Sequence, residues 1–176
     1  GDFVPASQLL RRPADAIPVL SPAPLASATI GRRPTYLRVV ATPVCNHRCS
    51  YCHMEGDPRR KGFERGLPAE ALRAAFEALA PVGLAKIKFV GGEPLLRGDL
   101  PDLVSAARAS FPEADLSVIT AGGVPTSAQD RAFEAGLDRM NLSIHGFGER
   151  AFVRRGNKAG LLQARARFLE ALLQRG

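Results

Sequence analysis

Residues 37–52 read Leu-Arg-Val-Val-Ala-Thr-Pro-Val-Cys-Asn-His-Arg-Cys-Ser-Tyr-Cys. The first six residues are rich in apolar and β-branched side chains, which predicts a short strand over Leu37–Thr42. Cys45, Cys49 and Cys52 follow it at spacings of four and three residues. We therefore expect a strand that carries a cysteine loop at its carboxyl end.

The rest of the chain repeats a strand followed by a helix. Strands are predicted over Leu37–Thr42, Lys86–Val90, Leu116–Thr120 and Arg139–Ile144, and helices over Pro68–Ala80, Leu100–Phe111, Ser127–Ala135 and Gly160–Gln174. Because neighbouring parallel strands need a crossover connection, this alternation predicts an α/β fold with a parallel sheet and helices on the outside. Its four strand–helix units correspond to part of a (β/α) barrel.

Several residues are predicted to begin, end or bury these helices. Asp99 is expected to cap the second helix, and Thr126 or Ser127 the third, with Gly136 as its stop. The fourth helix carries an apolar stripe formed by Leu161, Leu162, Phe168, Leu169, Leu172 and Leu173.

Prolines and the end of the chain predict the domain organisation. Residues 1–34 contain six of the fourteen prolines, which argues against regular structure and predicts an extended arm. Residues 35–176 form the predicted barrel segment. The sequence stops after a helix, where a fifth strand is expected, so we expect the barrel to continue beyond it or to pair with another chain.

Composition narrows the function classes. The formal charge is +7, but the basic residues are scattered and no recognition motif accompanies them, so nucleic-acid binding is not favoured. A small substrate that carries a phosphate or a carboxylate is another explanation of the excess positive charge. No apolar run of about eighteen residues exists, and no secretory signal pattern begins the chain, which predicts a cytoplasmic protein without a membrane span.

The three cysteines are predicted to be metal ligands. An odd set within eight residues cannot pair fully as disulfides. Three thiolates can hold three irons of one cubane cluster and leave the fourth iron open. The alternative is a zinc site completed by His53, although His53 adjoins Cys52 awkwardly for a tetrahedron. On the cluster interpretation, His53 belongs to the loop or to a substrate pocket.

A second motif ends the second predicted strand. Gly91 and Gly92 permit close approach of a ligand to the backbone, and Glu93 offers a carboxylate acceptor for an ammonium group. Alone, such a segment is an ordinary strand-to-helix turn. About forty residues after a cysteine triplet, it becomes specific.

Together, the two motifs resemble the radical S-adenosylmethionine (radical SAM) superfamily. The spacing of Cys45, Cys49 and Cys52 matches its cluster signature, and Tyr51 fills the aromatic position before the last cysteine. The resemblance implies a [4Fe-4S] cluster whose open iron binds S-adenosylmethionine. It also implies reductive cleavage of that cofactor to methionine and a 5′-deoxyadenosyl radical, which abstracts hydrogen from a substrate.

The same resemblance implies further cofactor contacts. Gly91, Gly92 and Glu93 match the motif that holds the methionine amino group. Ser143 matches a polar position near the end of the fourth strand that contacts the methionine or the ribose. Thr120 matches another contact position, although Ala121 departs from the usual Thr-Asn-Gly there.

Three further residues are candidates for substrate chemistry. Polar residues on the fourth strand alternate with apolar ones, so we expect the polar side chains to point into the barrel. His145 would then be an acid, a base or a substrate contact. A hydrogen-bonded barrel histidine is the alternative. Arg154 and Arg155, in the next loop, are expected to hold a carboxylate or phosphate, or to form a solvated pair.

Within the superfamily, the resemblance is greatest to the molybdenum-cofactor GTP cyclase group. This sequence has no cysteine after Cys52, where that group has a second triplet, and Ser-Ile-His at 143–145 departs from its Ser-Leu-Asp. The substrate is therefore left as a small molecule, nucleotide or peptide, with a flavodoxin- or ferredoxin-type electron donor. The alternatives are a zinc-stabilised or electron-transfer module and a non-catalytic barrel fragment.

Overall fold

A computed structural model describes residues 35–52, 66–145 and 160–175, together with Arg150 and Val153. These ranges contain four strands and four α-helices in alternation: β1 Tyr36–Thr42, α1 Ala69–Leu79, β2 Lys86–Gly91, α2 Leu100–Ser110, β3 Asp115–Thr120, α3 Thr126–Glu134, β4 Arg139–Leu142 and α4 Gly160–Leu173. Short 3₁₀ turns at Ala80–Val82 and Pro94–Leu96 follow α1 and β2. The predicted proline-rich arm, residues 1–34, lies outside the described residues.

The four strands form one parallel sheet in the order β1-β2-β3-β4. The pairing aligns Arg38 with Lys88, Lys88 with Ser117, and Ser117 with Arg139. Sequential parallel strands joined by helices are the arrangement of a barrel segment, so the predicted α/β fold is confirmed. The carboxyl ends of all four strands therefore meet at one edge.

The helices pack on one face of this sheet. Ile87, Phe89, Leu116 and Val118 are buried in the core together with apolar residues of α1, α2 and α3. Because side chains alternate along a strand, the intervening residues point to the opposite face. On that face Val40 is 60% exposed, whereas Ser117 is fully buried, so the face away from the described helices is exposed only in part.

Two predicted caps differ from the structure. Asp99 stands at the N-cap of α2 but makes no side-chain bond to the helix. Its carboxylate instead accepts two hydrogen bonds from the guanidinium of Arg97, which is a stronger, charge-assisted partner. The N-cap of α3 is Pro125, since the helix already includes Thr126. Gly136, which follows this helix, adopts a left-handed φ of 99°, as expected of a residue that ends a helix.

Two predicted apolar positions are also less buried than expected. β4 ends at Leu142 rather than Ile144, and Ile144 is exposed. In α4 the predicted stripe is centred on the buried Phe168, whereas Leu173 is 74% exposed because it lies in the last turn of the helix. The core contact of α4 is therefore made by Phe168, with Leu172 packed against the same core.

None of the helices in the described ranges is long and apolar enough to cross a membrane.

Candidate active site

The cysteine loop leaves the carboxyl end of β1 and carries all three thiols. Cys45 and Cys49 are partly exposed, and Cys52 is exposed. The backbone N–H of His47 donates to Sγ of Cys45 at 3.4 Å, and the N–H of Cys52 donates to the carbonyl of Cys49 at 3.0 Å. These two bonds turn the loop locally, and the loop follows the carboxyl end of the first strand, as predicted.

The donor set, three thiols in one loop, is of the kind that a cubane cluster takes. Within the described ranges, no three His, Cys, Asp or Glu side chains converge closely enough to hold one metal ion. Zinc needs its ligands around a single point, whereas each thiolate of a cubane binds a different iron. His53, the proposed fourth zinc ligand, lies outside the described residues. Cys45, Cys49 and Cys52 are accordingly the residues that would hold a [4Fe-4S] cluster.

The thiol of Cys45 has a raised pKa. Burial raises its pKa to about 11, and the nearby charges of Glu93, Cys49 and Cys52 act in the same direction. The hydrogen bond from the N–H of His47 opposes that rise. Without metal the thiol is therefore protonated at neutral pH, so ligand binding to iron must release a proton.

Gly91 and Gly92 bring the β2 loop against the cysteine loop. The N–H of Gly92 donates to the carbonyl of Thr42 at 2.8 Å, and the N–H of Glu93 donates to the carbonyl of Val44 at 2.7 Å. A Cβ added at Gly91 would collide with the carbonyl oxygen of Thr42, and one at Gly92 with that of Val44. In the structure, these glycines allow the close approach of another backbone segment of the same chain.

Glu93 joins this loop to the end of β3. Its side chain is fully buried, and Oε1 accepts from the hydroxyl of Thr120 at 2.8 Å and from the N–H of Leu95 at 3.2 Å. Oε2 accepts from the N–H of Ala121 at 2.8 Å. Burial raises the pKa of Glu93, whereas these three hydrogen bonds lower it. The carboxylate therefore holds the second and third loops together.

Thr120 and Ser143 lie next to each other at the same edge. The hydroxyl of Thr120, besides donating to Glu93, accepts from the N–H of Gly122 at 3.0 Å. The N–H of Ser143 donates to the carbonyl of Thr120 at 2.9 Å. The two residues matched to cofactor contacts are thus brought together through the end of the β3–β4 pair.

Tyr51 and His145 are also brought together, although 94 positions of the numbering separate them. Their ring centroids are 4.7 Å apart with the planes inclined at 59°. Both residues are exposed, so the pair lies at the surface of the cysteine loop. This contact places the candidate acid–base residue beside the aromatic position of the cluster motif.

Arg165 is a site residue that the sequence prediction missed. Its guanidinium, on α4, donates to the carbonyl of Ser143 and lies near the charges of Cys49 and Tyr51. Burial lowers the pKa of Arg165, and those two charges raise it. The signal in the sequence is its position, because Arg165 stands three residues before the buried Phe168 on the apolar stripe of a helix.

Arg97 is a second site residue that the sequence prediction missed, and it joins the end of β1 to the segment before α1. Its guanidinium donates to the carbonyls of Ala41 at 2.6 Å and Leu67 at 2.9 Å, and makes two bonds to Asp99. The side chain is 8% exposed. Its proximity to the Gly-Gly-Glu segment, four residues upstream, was the available signal.

The inner face of the sheet is cationic towards the amino ends of the strands. Arg38, Lys86, Lys88 and Arg139 all project from this face, where Asp115 is the acidic residue among the described strand positions. Arg139 donates to Asp115 at 3.0 Å, and Lys86 lies 3.6 Å from the same carboxylate. Positive charge on this face therefore exceeds the negative charge.

Three predicted substrate residues, His53, Arg154 and Arg155, lie outside the described residues. Their roles stay predictions.

The fold and the site first define a class: a parallel (β/α) barrel segment that presents a cysteine triplet at its carboxyl edge. A sequence model of the radical SAM superfamily matches residues 39–176. The chain therefore belongs to the radical SAM superfamily, whose enzymes use a [4Fe-4S] cluster and S-adenosylmethionine.

Curated relatives carry the name GTP 3′,8-cyclase. The protein from Chlorobaculum tepidum is 41% identical over 115 residues, covering 65% of this chain and 34% of the relative. The protein from Mycobacterium ulcerans is 42% identical over 116 residues, covering 65% and 32%. A probable GTP 3′,8-cyclase from Metallosphaera sedula is 35% identical over 122 residues, covering 69% and 38%. The chain thus spans about a third of the length of these relatives.

Solved structures share the fold. The anSMEcpe enzyme with bound AdoMet superposes with a TM-score of 0.63 at 19% identity, covering 80% of this chain and 40% of that one. BtrN in complex with AdoMet and 2-DOIA gives a TM-score of 0.56 at 24% identity, covering 72% and 51%. At these identities the similarity establishes the fold alone.

Proposed function

We propose that this chain provides the cluster-binding and cofactor-binding part of an enzyme that cleaves S-adenosylmethionine reductively. The observation that carries the proposal is the direct attachment of the cysteine loop to the Gly-Gly-Glu segment. Gly92 and Glu93 donate to the carbonyls of Thr42 and Val44, just before Cys45. The two motifs therefore form one surface at the carboxyl edge of the sheet, where barrel enzymes have their active sites.

The residues of this surface divide the work of holding the cofactors. Cys45, Cys49 and Cys52 would bind three irons of the cluster and leave the fourth open. A bound cluster, once reduced, would supply the electron for cleavage of S-adenosylmethionine to methionine and a 5′-deoxyadenosyl radical, and that radical would take a hydrogen atom from the substrate. Arg165 beside Cys49 offers a planar cation to the carboxylate of the cofactor.

Backbone and side-chain groups near β2 and β3 complete the cofactor site. The Gly91–Gly92 backbone and Ser143 are the proposed contacts for the methionine amino group and for the methionine or the ribose. Glu93 and Thr120 support them by fixing the two loops. His145, exposed against Tyr51, is the proposed substrate contact or proton acceptor.

The substrate we propose is an anionic small molecule, phosphorylated by preference. The cations of the inner face project towards the amino ends of the strands, and Arg38 lies opposite Lys88 on the neighbouring strand. Charge-assisted bonds from such side chains suit phosphate oxygens. Since curated relatives are named GTP 3′,8-cyclase, a purine nucleoside triphosphate is the first compound to test.

The remaining assignments of the whole protein are proposals of the same kind. We propose a cytoplasmic enzyme, reduced by a flavodoxin- or ferredoxin-type donor. Residues 35–176 are proposed as the amino-terminal part of a barrel whose further strands extend the sheet.

The cleavage reaction is tested by anaerobic reconstitution with iron and sulfide. Dithionite and S-adenosylmethionine are added, and 5′-deoxyadenosine is measured by chromatography. We expect the product with the native chain and with Ser50→Ala, an exposed neighbour in the same loop, and none with Cys49→Ala. Zinc in place of iron, or a cluster that is indifferent to the cofactor, would contradict the proposal.

The substrate class is tested by binding. GTP, guanosine and inorganic triphosphate are titrated against the reconstituted protein, with Lys88→Ala compared with Arg73→Ala, whose side chain lies on the outer helix α1. Binding of GTP and triphosphate that weakens in Lys88→Ala alone supports the anionic site. Equal binding by both variants would remove the inner face from the proposal.

A further inference from the structure

Two residues inside the cysteine motif contact the loop after β3. The side-chain amide of Asn46 donates to the carbonyl of Gly123 at 2.6 Å, across 77 residues of sequence. His47 is 7% exposed, and a Cβ added at Gly123 would lie 2.5 Å from its Nε2 and 3.1 Å from its Cε1. Gly123 therefore contacts both residues: its carbonyl accepts a hydrogen bond from Asn46, and its Cα lies against the ring of His47.

This contact is linked directly to a cluster ligand. The same His47 whose ring abuts Gly123 donates its backbone N–H to Sγ of Cys45. Hydrogen bonds to the sulfurs are one of the determinants of the reduction potential of an iron–sulfur cluster. The position of His47 thus connects the β3 loop to the electronic environment of Cys45.

The contact also completes a set of hydrogen bonds that connects the loops after β1, β2 and β3 to one another. Gly92 and Glu93 join the β2 loop to the β1 loop, and the carboxylate of Glu93 joins the β2 loop to Ala121. Asn46 then joins the β1 loop to Gly123, two residues further on. Because each connection is a hydrogen bond that involves the backbone, the cysteine loop is fixed to both the β2 loop and the β3 loop.

We propose that Asn46 and His47 are positioning residues that dock the cysteine loop on Gly123 and thereby set the hydrogen bond to Cys45 in the assembled cluster. The inference rests on the proposed cluster site and goes beyond it, by assigning a role to residues between the ligands. The backbone φ of Gly123 lies outside the left-handed region, so the conformation does not require glycine there. Glycine is required because the ring of His47 occupies the space that a Cβ would fill.

The decisive experiment is a double-mutant cycle of Gly123→Ala and His47→Ser. In the metal-free chain, the rate at which iodoacetamide alkylates Cys45, relative to the exposed Cys52, is measured by peptide mass spectrometry. We expect Gly123→Ala to raise this ratio several-fold in the native chain and to change it little in the His47→Ser background, where no ring meets the new methyl. Gly98→Ala is the matched control, since a Cβ there meets nothing within 4 Å.

The second readout is the midpoint potential of the reconstituted cluster. We expect it to shift to more negative values in Gly123→Ala and in Asn46→Ala, and to be unchanged in Gly98→Ala. Asn46→Ala adds no bulk, so it decides the matter if Gly123→Ala fails to fold. Native values of both the alkylation ratio and the potential in Asn46→Ala, or equal effects of Gly123→Ala in both backgrounds, would overturn the proposal.

These outcomes are separable from those of the cleavage assay. Alkylation is measured without metal and the potential without S-adenosylmethionine. Docking of the loop can therefore fail while cleavage persists, and the reverse.

Discussion

The two ends of the sheet are each held by one arginine, and the two arginines differ in burial. At the carboxyl edge, Arg97 donates to the carbonyls of Ala41 and Leu67 and to Asp99, and its side chain is 8% exposed. At the amino edge, Arg108 is 28% exposed. It donates to the carbonyls of Pro112, Ala114 and Gly136 and to Asp138.

This difference in burial indicates which arginine hydrogen bonds contribute most to the stability of the fold. Water can replace the partners of an exposed guanidinium, whereas carbonyls left inside the protein have no substitute. The edge that presents the cysteines is therefore expected to depend on its arginine more than the opposite edge does.

The largest effect is expected for Arg97→Ala. We expect the free energy of unfolding to fall by about 3 kcal/mol, because the carbonyl of the buried Ala41 loses its donor and Asp99 loses its cation. Urea denaturation measures it, with Arg73→Ala, an exposed ion pair to Asp102, changing by less than about 0.5 kcal/mol. Equal losses in the two variants would remove burial as the explanation.

The Arg97→Ala loss should also depend on pH. The hydrogen bond from Arg97 lowers the pKa of Asp99 below its ordinary 3.8. A lowered pKa stabilises the fold above the unfolded value, and this contribution disappears as the pH falls through the folded value. The difference between native chain and variant should therefore shrink below about pH 4.

Glu93→Gln is expected to cost about 2 kcal/mol. The amide keeps one acceptor, but its NH₂ group faces another donor, either the N–H of Ala121 or the Thr120 and Leu95 pair. The same denaturation experiment measures the loss. A neutral result would mean that the carboxylate charge, penalised by burial, offsets the bonds that it accepts.

Arg108→Ala sharpens the comparison from the other edge. We expect a loss of about 1 kcal/mol, since solvent reaches the vacated carbonyls. Alkylation of Cys45 in the metal-free chain should be unchanged in this variant and faster in Arg97→Ala, which releases the end of β1. Faster alkylation in both variants would show that the two edges are coupled.

The smallest perturbation is titration of a single thiol. Because burial raises the pKa of Cys45 to about 11, its alkylation in the folded, metal-free chain should accelerate with a midpoint near that pH. In urea the midpoint should return towards 9.0. A folded midpoint at or below the unfolded one would show that the thiol is not desolvated.

Much of the framework was predictable from local pattern. The alternation of strands and helices, the parallel sheet and the position of the cysteine loop follow from periodicity and from crossover geometry. The errors lie at element ends, where tertiary partners compete. Asp99 binds Arg97 instead of its helix, and the exposed Ile144 lies beyond the end of β4.

The sequence by itself determined the superfamily and predicted the ligand triplet, because spacing within one loop dictates which thiols one cluster can bind. Only the tertiary structure decided what Gly91, Gly92 and Glu93 contact, and which distant residues reach the cysteine loop. Arg165 approaches Cys49 from the last helix, and Gly123 receives Asn46 from 77 residues away. Such contacts depend on how helices pack across the sheet, and packing brings together residues whose separation along the chain carries no periodic signal.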